Sequence, residues 1–412
     1  MDINTALSTL IFLVIIYSIP FFSILIRSNH LVLSYWVVIS LYQIVAFTNA
    51  FLVRTLGADM DANSFHVLGV EVNNSGVFQF HSDANLYINI LGKFYSMTSN
   101  SIIIGSQLSI LFIGISIVFF VKILNKLKLN HNQALLIFLY AGLPSMFMLG
   151  SITLREPIQV SLLLISFYFG LKMRIDSKYK VFNFCMLVLF ALGAGIFHRG
   201  VFVFSIFFTF AFLVWNTNEI KIKYKIKVKR LIVLTMTPFL ILVFFYLAVN
   251  SDISGSNIFE KILNLEVLEA IKNHRTYTPI GRASYDIPFD YSSIFMGIYS
   301  SGMIYIHYLF TPFVWNISSL ADLYAGSEAI LHLILIYYSI RAWLMEKGQR
   351  KQLIGLMLIL FFVISFIFAV GTTNYGTGIR HKMLSWWLLV IMGGPYLISK
   401  IKQFLTKKYS DV

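Results

Sequence analysis

Residues 352–399 read QLIGLMLILFFVISFIFAVG-TTNYGTGIRHK-MLSWWLLVIMGGPYLIS, hyphens marking two apolar runs and the link between them. Each run has the length at which a helix crosses a bilayer. The link carries Arg380, His381 and Lys382 in a row. The same alternation recurs along all 412 residues, at about 6–26, 31–53, 102–121, 132–152, 157–173, 181–197, 200–215, 231–249 and 325–343. Only 12% of the chain is charged, about half of what a soluble domain carries, and 58% is hydrophobic. The expected fold is therefore all-α: one integral membrane domain over 1–412, a polytopic bundle of about 11 transmembrane helices. Two long extracytoplasmic loops, 54–100 and 250–324, interrupt it.

Charge sets the expected orientation. Five basic links, KILNKLKLN, KMRIDSKYK, KIKYKIKVKR, RAWLMEKGQRKQ and the tail KIKQFLTKK, fall on one side of an eleven-span topology. With Arg27 they hold 22 of the 32 Lys and Arg, against only 4 of the 18 Asp and Glu in and beside them (Asp176, Glu219, Glu346 and Asp411). The positive-inside rule places them in the cytoplasm, which puts the N-terminus outside and the C-terminus inside. This asymmetry accounts for the net charge of +14 without nucleic acid as a partner. Segment 293–316 would upset the alternation if it crossed. It is expected to be a re-entrant or interfacial segment, broken near Gly297, Gly302 and Pro312. Cys185 is the only cysteine, so neither a disulfide nor a cysteine-based metal site can form within the chain.

The outer side should need no basic residues, yet it keeps several near the hydrocarbon boundary. Arg155 lies in SITLREP, His198 and Arg199 in GIFHRG, and the triplet of Arg380, His381 and Lys382 in the last link. One arginine at a span end commonly snorkels to headgroups. Three that close tight links on one face point to more, because guanidinium forks bind phosphate oxygens in pairs and keep their charge when partly buried. The expected ligand is a lipid-linked phosphate or pyrophosphate, with membrane lipid around it. The first long loop adds Asp59, Asp61 and His66, and a carboxylate there could serve as a base on a sugar hydroxyl. Its stretch LYINILGKFYSM is amphipathic enough to lie on the membrane. The second loop adds Arg275 and Arg282. No histidine and carboxylate set has zinc-ligand spacing, and no P-loop or dinucleotide turn is present, so neither metal nor cofactor is expected.

Four stretches resemble one family. GADMDANSFHVLGV is similar to the opening of the first extracytoplasmic loop in EpsG-like and Wzy-type polysaccharide polymerases, and more distantly in GT-C glycosyltransferases. LREPIQVSLLLISFYFGLK with AGIFHRGVFVF, YLFTPFVWNISSLADLYAGSEAILHLILI and NYGTGIRHKMLSWWLLVI resemble later pieces of the same family, in the same order. The resemblance implies a GT-C-like bundle in a bacterial inner membrane. It implies an O-antigen or surface-polysaccharide polymerase that moves a growing glycan from undecaprenyl pyrophosphate onto a new lipid-linked repeat unit at the periplasmic face. A chain-length regulator protein would be a compatible partner. By position, Arg155, Arg199 and Arg380 match the family's outer arginines and Asp61 its first-loop acid. His198 is a second candidate base. Asp59, His66, Arg275, Arg282, His381 and Lys382 are the accompanying substrate-binding candidates.

Two other readings compete. A GT-C transferase would add a single sugar from a polyprenyl-phosphate donor and lean on Asp61 and Asp59. A flippase of lipid-linked sugars would need charge reaching mid-membrane, whereas the spans look nearly free of it.

Overall fold

The computed structural model describes residues 2–78, 84–176, 178–215, 266–277, 283–285 and 287–410. Among these, every regular element is helical. In chain order the helices are α1 (Ile3–Ser18), α2 (Asn29–Phe51), α3 (Asn63–Ser75), α4 (Ala84–Met97) and α5 (Ile102–Lys126). Next come α6 (Gln133–Ala141), α7 (Pro144–Gly150), α8 (Glu156–Ile175), α9 (Lys180–Gly195) and α10 (Arg199–Val214). The last five are α11 (Glu266–Tyr277), α12 (Ile294–Phe310), α13 (Leu320–Met345), α14 (Gly348–Gly371) and α15 (Tyr375–Ser410). Among the described residues seven helices are long and apolar enough to cross a membrane, and an eighth span results if α6 and α7 are counted as one bent pair. Helices α9, α10 and α12 are apolar but shorter. The chain is a multi-pass helical membrane protein. The apolar run at 231–249 lies outside the described residues.

Local chemistry explains where the helices start and stop. The Asp2 carboxylate accepts the Thr5 amide at 2.7 Å and opens α1. Run 132–152 is not one straight helix. Pro144 forces Leu143 into an extended conformation, so α6 and α7 meet at 62°. The carbonyl of Ala141 freed by that break accepts from the Tyr42 hydroxyl at 2.9 Å. The amide of Ser145 donates to Glu328 Oε1 at 2.8 Å. Within hydrocarbon such groups need partners inside the protein.

Two expectations about the loops change. Segment 294–310 is one continuous helix through Gly297 and Gly302. Pro312 lies beyond its end, where it stops the helix instead of breaking it. The amphipathic stretch of the first loop, α4, turns its apolar face inward. Leu86, Tyr87, Leu91 and Tyr95 are buried against α3 and α5, and Gly69 lets α3 approach Leu91 closely. The first loop is thus largely a helical hairpin packed on the bundle.

The bundle has two chemically different ends. Helices α5 and α8 run side by side and finish together where Lys126 pairs with Asp176. At the same end Glu346 pairs with Arg350 at 3.1 Å and accepts from Tyr396 at 2.6 Å. The other end gathers the starts of α8, α10 and α15. Between the ends, Gln43 on α2 and Gln107 on α5 exchange two amide hydrogen bonds of 2.9 and 2.8 Å. Helix α15 crosses α13 so closely that a Cβ on Gly393 would lie 2.6 Å from the Leu335 carbonyl oxygen.

Gly393→Val should therefore cost about 1–3 kcal/mol through overpacking. Gly302, whose Cβ would meet nothing within 4 Å, should accept alanine without loss. Thermal unfolding in detergent checks the pair, and equal midpoints would show that this crossing is looser than described.

Candidate functional site

The site grows from the start of α8. Arg155 occupies the N-cap position, and Glu156 and Pro157 form the first turn, where proline's missing amide costs nothing. Glu156 is 1% exposed and Arg155 8% exposed. The Arg155 Nη1 donates to the Phe197 carbonyl at 2.8 Å, in the turn between α9 and α10. Its guanidinium carbon stands 5.9 Å from the Phe65 ring of α3. The Arg155 Nε lies 3.9 Å from Glu156 Oε1.

Arg380 reaches the same carboxylate from 224 residues away in sequence, with Nε 3.0 Å from Glu156 Oε1. Its Nη1 also pairs with Asp61 Oδ2. The two acids differ sharply in setting, since the Asp61 side chain is 55% exposed and that of Glu156 is 1%. Gly57, at φ +85°, makes the turn into Ala58–Ala62, which presents Asp59 and Asp61. Both acids are exposed, and among the described residues only Asp61 has an ion pair. Among the described residues, the buried Glu156 Oε2 has no hydrogen-bond partner. Burial raises the pKa of the neighbouring Tyr87 phenol above its ordinary value, and the Glu156 charge acts in the same direction.

The histidines form the other wall. His198 caps α10, its Nδ1 accepting the Gly200 amide at 3.0 Å. In the neutral ring the proton then sits on Nε2, which is a donor. The His198 ring lies 5.6 Å from that of His381 and 5.1 Å from that of Phe368. His381 is buried, with Nδ1 3.1 Å from the Thr372 hydroxyl, and its Nε2 has no partner among the described residues. Arg199 is exposed on the first residue of α10.

Other candidates stand elsewhere. The basic triplet is not in a link. The Asn374 side chain accepts the Thr377 amide at 2.8 Å and starts α15, so residues 380–382 lie in its second turn. Successive helical residues turn by about 100°, so Arg380 and Lys382 leave on opposite faces. The Lys382 Nζ donates to the Leu309 carbonyl at 3.0 Å, away from Arg380. Arg275 on α11 is buried. It donates to Ile287 O and Thr372 O, both at 2.9 Å, and to Val370 O and Ala369 O at 3.3 and 3.4 Å. It closes the open end of α14, a packing role. Burial lowers its pKa, although a guanidinium keeps its proton. Arg282 lies outside the described residues. His66 bonds Tyr95 through Nδ1 at 2.8 Å and ties α3 to α4.

The guanidiniums of Arg155, Arg199 and Arg380, set against Asp61, Glu156 and the exposed Asp59, offer paired donors that suit an anion at the boundary of the bundle. Among the described residues, no three His, Cys, Asp or Glu form a group that could hold a metal ion. No family model, curated protein or solved structure matches the chain. Sequence reasoning missed Glu156. The signal was an acid at a span start beside an arginine, since carboxylates at membrane depth are rare and paired.

Removing the buried acid should matter far more than removing the exposed one. Glu156→Ala takes the buried carboxylate from two guanidiniums, leaving Arg380 with the exposed Asp61, and should cost about 3–5 kcal/mol. Asp61→Ala should cost no more than about 1 kcal/mol because solvent screens it. Thermal unfolding of both variants decides, and equal losses would contradict the ranking. A second outcome concerns pH. Burial, and then Arg54, lower the pKa of His66 below its ordinary 6.5. The unfolded chain therefore takes up that proton first, and stability falls as pH drops below about 6.5. His66→Gln should flatten this part of the stability profile between pH 7.5 and 5.5.

Proposed function

We propose that this protein is a membrane polysaccharide polymerase whose substrate is an oligosaccharide carried on undecaprenyl pyrophosphate. The observation that carries the reading is the convergence of Arg155, Arg380 and the two histidines around a buried acid at one end of the bundle. By the charge rule this is the outer end, with eleven spans, the N-terminus periplasmic and the C-terminus cytoplasmic in a bacterial inner membrane. The lack of basic links at this end and their presence at the other support that orientation.

In this reading a hydroxyl of the new repeat unit attacks the anomeric carbon of the growing glycan. The bond from that carbon to the pyrophosphate oxygen breaks, and the lipid pyrophosphate leaves with the electron pair. Arg155, Arg199 and Arg380 offset the charge that gathers on the leaving oxygens, a contribution of about 3–4 kcal/mol per preorganised donor. The Nε2 proton of His198 would donate to the same oxygens, so its tautomer suits binding better than proton abstraction. Asp61, exposed and next to Arg380, is the better placed base.

Surface glycan from cells lacking the gene tests the proposal. Wild type should restore a ladder of repeat lengths. Arg155→Ala and Arg380→Ala should reduce it to a single repeat when read per amount of folded protein, since each also removes a partner of the buried Glu156. Ladders that persist in both variants would remove the arginines from catalysis. A single added sugar from wild type would favour the one-step transferase instead.

A further inference from the structure

The spans are less free of charge than their sequence suggests. Glu328 and His332 on α13 and Lys382 on α15 are all buried inside the bundle, each at most 6% exposed. Glu328 lies eight residues into α13, about 12 Å from its start at 1.5 Å per residue. Ionisable groups at such depth are costly and rarely lack a purpose. None of the three belongs to the cluster around Glu156.

They line a common cavity with Ser145, Met146 and Met383. Its volume is about 10 Å³, close to what one water needs. The bonds already made define what remains. Glu328 Oε1 accepts from the Ser145 amide at 2.8 Å, and the Lys382 Nζ donates to the Leu309 carbonyl at 3.0 Å. His332 Nδ1 lies 2.9 Å from the Glu328 carbonyl. A carbonyl only accepts, so Nδ1 carries the proton and Nε2 of the neutral ring must accept. That Nε2 is buried with no partner among the described residues.

We propose that this cavity is an internal hydration site holding one water molecule between α13 and α15. The water accepts from the Lys382 ammonium and donates to the Glu328 carboxylate and to His332 Nε2. Three bonds are what a buried water ordinarily makes. The water thereby links the Glu328 and Lys382 charges and satisfies the imidazole. It joins α13 to α15 at the helix turn that also carries Arg380, and Glu328 extends the link to α7 through the Ser145 amide. The inference is independent of the polymerase reading.

Hydroxyl-radical footprinting with X-rays tests it on the full chain in detergent or nanodiscs. Radicals made from a bound water oxidise the side chains beside it even where bulk solvent cannot reach. Met146 and Met383, each 1% exposed, line the cavity, while Met357 and Met392, each 2% exposed, do not. The expected result is oxidation of Met146 and Met383 several-fold faster than of Met357 and Met392. Ala329→Leu, which fills the cavity, should bring Met383 down to the rate of Met357. Equal rates for all four methionines in the wild-type protein would overturn the proposal. So would fast Met383 oxidation that survives in a folded Ala329→Leu variant.

Discussion

A helix end inside an apolar bundle leaves several backbone groups without partners, and in hydrocarbon each costs several kcal/mol. Much of the polar interior of this protein answers that constraint. Tyr42 serves the carbonyl freed by the α6–α7 break, and Trp386 serves the Leu139 carbonyl on the same broken span at 3.0 Å. Arg174 donates to the Phe212 and Leu213 carbonyls at the end of α10. Arg275 does the same for the end of α14, and Lys382 for that of α12. These side chains let short and bent helices persist where a bilayer favours long straight ones. Each is cationic or aromatic, and each bonds a carbonyl. The starts of α8, α10 and α15 are joined by Arg155 on the Phe197 carbonyl and by Arg380 on Glu156.

Against that background Glu156 stands apart, because it serves no backbone group at a break. Its carboxylate is held by two guanidiniums, one on its own helix start and one on α15. A backbone cap needs only a donor, whereas a buried acid between two arginines fixes the position of charge. The second loop reinforces the arrangement. Tyr285 donates its amide to Thr373 O and Tyr375 donates to Ala283 O, both at 3.0 Å, so the loop is stitched to the residues that start α15. The Tyr375 hydroxyl, in turn, bonds Asp322 on α13. Arg380 is thus positioned from three directions before any ligand is considered.

The apolar runs and the uneven distribution of Lys and Arg made the helical membrane class legible, because bilayer thickness imposes a length that sequence records directly. Arg155, Arg199 and Arg380 were legible for the same reason, as charges in links where the positive-inside rule asks for none. What the sequence hid was direction. Arg380, His381 and Lys382 are adjacent letters, but about 100° of helical rotation per residue keeps Arg380 and His381 at the Glu156 cluster and sends Lys382 to the opposite face. Arg275 looked like a ligand residue because a loop position says nothing about the helix end it will meet. Glu328 and His332 were overlooked because two polar letters barely change the average of a long apolar run. Their four-residue spacing nonetheless puts both on one face. The break in 132–152 was readable from Gly142-Leu143-Pro144, but apolar averages smooth over it.

The two acids at Arg380 differ in a way that bears on the proposed chemistry. An entering phosphate must replace a carboxylate on the guanidinium or share it. Displacing Asp61 costs little, since a pair that is half exposed is worth about 0–1 kcal/mol. Displacing Glu156 would strand a buried anion, at a cost of several kcal/mol. Under the proposed reading the exchange therefore happens at Asp61. The carboxylate that gives up Arg380 is then released beside the phosphate that took its place. Glu156 stays and keeps the arginine aimed. One guanidinium with a permanent and an exchangeable acid thus couples arrival of the pyrophosphate to the freeing of a base.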